Sequence, residues 1–181
     1  MLGLGNSLTG GLVTEAAAWA PTDVSGLEIW LTARPEDVTA VGTAVTTWTA
    51  RFPVDGSYAY TQSTTVNKPR FLDDAVVFDA TGSDDDVLLE ASDELTLDTS
   101  DGGWTVAMQV TSSDWDRANQ VIDNVAQTDT ENFTATNDFI FSQISGKNNL
   151  SQPFTGSFKE IVIFNEELSE ANRLECYNYM K

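Results

Sequence analysis

The sequence predicts an all-β protein, an antiparallel sandwich of two sheets closed by a short C-terminal helix. Three observations carry that prediction. Short apolar runs recur along the chain, each bounded by Gly, Pro, Asp or Asn turn signals. One amphipathic helical pattern stands alone at the end, after Ser169. With 181 residues, 41% of them hydrophobic, the chain has material for a single real core.

The segment Met1 to Pro21 differs from the rest: it is glycine-rich, carries only Glu15 as a charged side chain, and spaces Leu2, Leu4, Leu8, Leu12 and Val13 along its length. Each glycine costs a helix about 1 kcal/mol relative to alanine, so no stable isolated helix is expected. Residues 1–21 read as an arm that orders when its leucines dock on a partner. The other reading is a frayed terminus, or a first edge strand packed on its own domain. Residues 22–181 form the sandwich domain.

Leu27, Ile29 and Leu31 alternate with Glu28, Trp30 and Thr32, the pattern of a strand, and Arg34-Pro35-Glu36-Asp37 breaks it. Val45 to Ala50 is the next strand. Asp55-Gly56-Ser57 signals a turn before strand-like Tyr58 to Gln62, and Lys68-Pro69 forces extended backbone before Phe71. Asp73-Asp74 makes a tight turn. Ala75 to Asp79 and Val87 to Glu90 are expected to form a hairpin around Thr81-Gly82-Ser83. Leu95 to Asp98 suits a short edge strand, and Asp101-Gly102-Gly103 is a second clear turn. Trp104 to Val110 has the continuous apolar character of a central strand covered on both faces. Between Thr111 and Pro153, Val121-Ile122, Phe133 and Phe139-Ile140-Phe141 are the candidate strands. Phe158 to Asn165 lacks polar alternation, which predicts a last strand buried on both sides. Ser169 is the expected N-cap of a helix that docks through Ala171, Leu174, Tyr177 and Met180.

The charge excludes several functions. With 28 acids against 9 bases the net charge is −19, a field that repels nucleic acid and anionic lipid. No nucleic-acid partner and no membrane partner are expected. The charge suits solubility on a crowded surface, or complements a basic partner. The chain has no histidine, which removes Ser-His-Asp and Cys-His catalysis and His-ligated zinc. Cys176 is the single cysteine, so no disulfide framework forms and a reducing compartment is expected. It reads as a half-buried structural thiol in the terminal helix. Ala18-Trp19-Ala20 mimics a cleavage site, yet no basic start or apolar run precedes it. No apolar stretch is long enough to span a membrane, so a soluble protein is expected.

Four blocks in fixed order resemble the concanavalin A-like, or laminin-G-like, jelly-roll family that recurs in phage and secreted surface proteins. LEIWLTA (27–33) is similar to its opening strand. WTAR (48–51) with QSTTVNKP (62–69) resembles its second block. VVFDATGSDD (76–85) with Asp86 resembles an apolar strand meeting an acidic turn, and residues 156–179 resemble its closing strand and helix. The resemblance covers residues 24–110 and 154–181, while the middle, 111–153, is short for the family. The opening MLGLGNSL resembles the N-termini of short virion proteins in tailed phages.

The resemblance implies a jelly-roll sandwich that binds and covers surfaces. The expected function is a non-enzymatic capsid decoration subunit, localised to the virion after assembly in the host cytoplasm. Its partners would be other virion proteins such as the major capsid protein, met through the N-terminal arm, with homo-oligomerisation. The alternative is a carbohydrate-binding module of a tail fibre or adhesin, taking a glycan. The candidate partner-binding residues are Leu2, Leu4, Leu8, Leu12, Trp19 and Trp115, whereas Trp30, Trp48 and Trp104 sit in apolar strands and are expected in the core.

Two patterns bear on glycan hydrolysis. Asp84, Asp86 and Glu90 have strand spacing that puts neighbours about 7 Å apart on one face, compatible with paired-carboxylate chemistry. Glycanases of the family carry a Glu-x-Asp-x-Glu strand. The nearest match here, ELTLD (94–98), has Thr96 where the central aspartate belongs. No catalytic residues and no cofactor are therefore expected. Asp84-Asp85-Asp86 is the one candidate for a hard cation, Ca²⁺, against the plainer reading of a solvated hairpin tip.

Overall fold

In a computed structural model, residues 18–53, 57–79, 88–90, 95–97, 103–112, 139–141, 143–144 and 155–180 are described. The strands are β1 (Leu27–Thr32), β2 (Val38–Val41), β3 (Ala44–Thr49), β4 (Ala59–Thr61), β5 (Arg70–Leu72), β6 (Ala75–Phe78), β7 (Leu88–Glu90), β8 (Leu95–Leu97), β9 (Thr105–Ser112), β10 (Phe139–Phe141), β11 (Gln143–Ile144) and β12 (Gly156–Phe164). Helix α1 (Glu170–Tyr179) follows. Ten strands form one antiparallel sheet in the order β1-β12-β6-β5-β3-β4-β7-β11, with β2 added on β3 and β9 added on β12. The remaining two, β8 and β10, pair with each other.

This sheet curls until its distant parts touch. Trp30 of β1 donates its N–H to the Phe52 carbonyl at 3.1 Å and accepts from the Arg51 N–H at 2.7 Å. The Trp48 Nε1 of β3 donates to the Thr32 carbonyl at 2.8 Å, although β12, β6 and β5 lie between the two strands in the sheet. Inside the curl, Ile29, Leu31, Val45, Trp48, Tyr60, Phe78, Leu88, Ile144, Phe158, Ile161 and Ile163 form one fully buried core. Phe78 and Phe158 meet edge to face at 5.7 Å. The expected β-rich antiparallel class with a closing helix is observed, with the main strands joined in one curled sheet.

The strand β12 is central, as its unbroken apolar run predicts. It is flanked along its whole length by β9, and on the other side by β1 and β6 in turn. A bulge between Phe158 and Glu160 shifts its register. Phe158, Ile161 and Ile163 therefore face the main core, and Val162 and Phe164 face the helix with Leu27, Trp30 and Leu168. The Asp73-Asp74 turn is present as the two-residue loop between Leu72 and Ala75, with φ of 51° and 53°. Left-handed backbone at both positions is the twist-matched hairpin geometry, which aspartate tolerates better than most residues. At Gly26, with φ of +74°, an added Cβ would lie 2.5 Å from Asn165 Oδ1, so the turn into β1 requires glycine.

Four expectations are corrected. Strand β7 does not form a hairpin with β6. It pairs with β4 and β11, while β6 pairs with β5 and β12. A Gly-containing link mimics a tight turn, but the partners that bury these strands are distant in sequence. Strand β9 is not central: it is bonded to β12 alone among the described strands, and its residues 105–110 are partly exposed. Its run in fact alternates, with Val106, Met108 and Val110 toward the main core and small or polar Thr105, Ala107 and Gln109 on the other side. The helix turns a different face inward. Cys176 is buried with Asn172, Tyr179 and Met180 partly covered, whereas Leu174 and Tyr177 are 57% and 61% exposed. A three-residue step advances about 300° round a helix, so positions 171, 174, 177 and 180 spread over half its circumference. Finally, β2 pairs with β3 around Gly42-Thr43, where no strand was expected.

Ser169 caps α1 as predicted, accepting the Asn172 N–H at 3.2 Å. Trp48 and Trp30 are buried, and Trp104 packs partly covered against the main core. The expected strands at Val121-Ile122 and Phe133 lie outside the described residues.

Candidate functional site

The bulge in β12 puts one carboxylate where the strand pattern expects an apolar residue. Glu160 pairs with Thr32 across β1 and points to the helix side, where it is only 8% exposed. Trp30 Nε1 donates to its Oε1, and the Tyr179 hydroxyl donates to the same carboxyl group from the last turn of α1. Trp30 in turn lies under the Arg51 guanidinium, 5.5 Å from the ring centroid. Arg51 is held by Asp37 at 2.9 Å and by Glu36 at 3.2 Å, and Asp37 also accepts from the Thr32 hydroxyl. A polar network thus runs from the β1–β2 turn, through an aromatic ring, to a buried acid.

Burial is the dominant effect on Glu160 and raises its pKa above the usual carboxylate range. The donors Trp30 and Tyr179 and the positive charges of Arg34 and Arg51 oppose it without cancelling it. The acid also acts on its neighbours. Burial, and then the Glu160 charge, push the Tyr179 hydroxyl up to about 12 and the Cys176 thiol up to about 11. Neither is ionised near neutral pH, so Cys176 lacks the thiolate that nucleophilic chemistry requires. It is buried more deeply than the half-buried thiol expected from the sequence.

Beside Glu160 opens a pocket of about 380 Å³ lined by Thr32, Arg34, Glu36, Asp74, Lys159 and Glu160. Both signs of charge face it, which suits a small polar or polyhydroxylated ligand better than an apolar one. Among the described residues no cluster of three or more acidic, Cys or His side chains could hold a metal ion. Asp84, Asp85, Asp86, Glu94 and Asp98 lie outside the described residues.

Of the predicted partner-binding residues, Leu2, Leu4, Leu8, Leu12 and Trp115 also lie outside the described residues. Trp19 is half-buried, with its ring edge-on to Tyr179 at 5.5 Å, and Tyr179 meets Trp30 at 6.3 Å. One line of aromatic rings therefore leads from the start of the described chain to Glu160. Sequence reasoning missed this centre. The available signal was an acid immediately preceding the apolar run Ile161-Val162-Ile163-Phe164, since a charge beside a fully buried strand must find partners or lie at a bend.

Comparison of the chain with family models, with curated proteins and with solved structures yields no match.

Proposed function

We propose that this chain is a non-enzymatic structural protein, a jelly-roll decoration subunit that binds other proteins of a tailed-phage particle through its N-terminal arm. The observation that carries the reading is the Trp19–Tyr179 contact. Trp19, near the end of the 1–21 arm, rests against the body, so an arm docked on a partner would hold the folded domain at a defined place. The net charge of −19 supports the reading, because it suits a domain that faces solvent on a crowded surface. The Glu160 centre fits it as well: a buried acid held by two aromatic donors and backed by un-ionised Tyr179 and Cys176 serves packing and orientation.

Deleting residues 1–17, which spares Trp19, should abolish incorporation into purified particles and leave the body folded. Normal copy number in the particle after that deletion would refute the reading.

A second reading, a carbohydrate-binding module of a fibre or adhesin, is favoured by the mixed-charge pocket beside Glu160. It expects binding on a glycan array that is lost in Arg34→Ala. An array with no signal at high protein concentration counts against it.

A further inference from the structure

The eight-residue strand β9 is bonded to β12 on one side, and no described strand pairs with the other. In an antiparallel strand every second residue directs its N–H and C=O away from a given neighbour, so β9 offers a row of backbone groups for one more strand. Between β9 and α1 lies a groove of about 440 Å³, lined by Ala107, Gln109, Leu168, Tyr177 and Met180. Tyr177 and the neighbouring Leu174 are the exposed apolar side chains of that helix.

We propose that this groove takes the chain's own N-terminal segment, residues 2–12, as a strand added to the edge of β9. The sequence of the segment suits the place. Leu2, Leu4, Leu8 and Leu12 all occupy even positions, so in extended backbone they share one face. The opposite face carries Gly3, Gly5, Ser7, Thr9 and Gly11, which have small side chains or none and permit close packing. Residues 1–17 carry only Glu15 as a charged side chain, so the segment joins an acidic body without strong repulsion.

Reach is sufficient. The described chain starts beside Tyr179, and Met180 next to it lines the groove. The residues from Leu12 to Trp19 span up to about 24 Å, and a helix with its side chains is about 10–12 Å across. The segment can therefore cross the end of α1 to β9. Tethering makes this an intramolecular event at about millimolar effective concentration. A neighbour that takes the segment, as in the particle reading, must compete with this docked state. The docking itself is a property of the isolated chain and does not depend on that reading.

Amide hydrogen exchange on the full chain tests it. In Leu4→Asp/Leu8→Asp, alternate amides of residues 105–112 should exchange at least ~10-fold faster than in the parent chain, with the β12 amides unchanged. Equal exchange in the two proteins overturns the proposal. A nitroxide on Thr9→Cys in a Cys176→Ala background should broaden the signals of residues 105–110 in the same molecule. No broadening there overturns the proposal. So does broadening seen only when spin-labelled chain is mixed with isotope-labelled, unmodified chain, which would assign the groove to a second copy.

Discussion

The two sides of β12 teach different things about this protein. Toward the inside of the curl it presents Phe158, Ile161 and Ile163, which meet aromatic and aliphatic side chains from across the sheet. Toward α1 it presents Glu160, Val162 and Phe164, and the layer there is smaller and contains a buried carboxyl group. The first side holds the fold together mainly by apolar packing, with no carboxylate among its described core residues. The second depends on them: Trp30 and Tyr179 must both reach Glu160, and Arg51 must stay over Trp30. The larger inner core is expected to contribute more to stability than the helix side.

The sharpest way to break this comparison is to damage the inner face. Trp48→Ala removes a fully buried indole together with its bond to Thr32, and should cost about 3–5 kcal/mol, read from denaturant unfolding. A loss no greater than that of a half-exposed residue would mean that the inner face is not the main source of stability.

The next test concerns Glu160, whose folded pKa lies above the ordinary value of 4.5. Between the unfolded and folded pKa the native state binds more protons than the unfolded chain, so this group lowers stability as pH rises through that window. Its cost is fully developed above the folded pKa. Glu160→Gln removes the ionisation and keeps an acceptor for Trp30. It should melt a few °C higher than the parent at neutral pH, on the order expected for one relieved buried charge. The difference should shrink as pH falls toward 4.5. A gap of constant size at all pH values would separate the effect from titration.

The smallest expected effect is at the outer end of the helix side. Ser169→Ala removes the cap on Asn172 and should cost about 1 kcal/mol or less, read as a shift of a few °C in melting. A much larger loss would show that α1 and the layer beneath it are a stronger part of the fold than the comparison allows.

How far these features were legible depends on whether the cause was local. The strands β1, β3, β6 and β12, the Asp73-Asp74 turn and the Ser169 cap follow from patterns within a few residues, and all are present. The partner of β7 was not legible, because Leu88 is placed by β4 and β11 and not by the residues around it. Strand β2 was hidden because Thr39 and Val41 face solvent, leaving Val38 as its one buried side chain. The site was hidden for a geometric reason. Without the bulge after Phe158, a strict alternation would carry Glu160 to the same side as Phe158. The inward face of the helix is not legible from hydropathy, because Asn172 and Tyr179 contribute to it while two clearly apolar residues, Leu174 and Tyr177, do not.

The meeting of Trp19 with Tyr179 has a practical consequence for anyone building with this domain. Both ends of the described body emerge at one spot, so the unit could be grafted into a surface loop of a host protein through two short spacers. A host receiving it would need to part its own backbone only by about the width of two aromatic rings meeting edge to face.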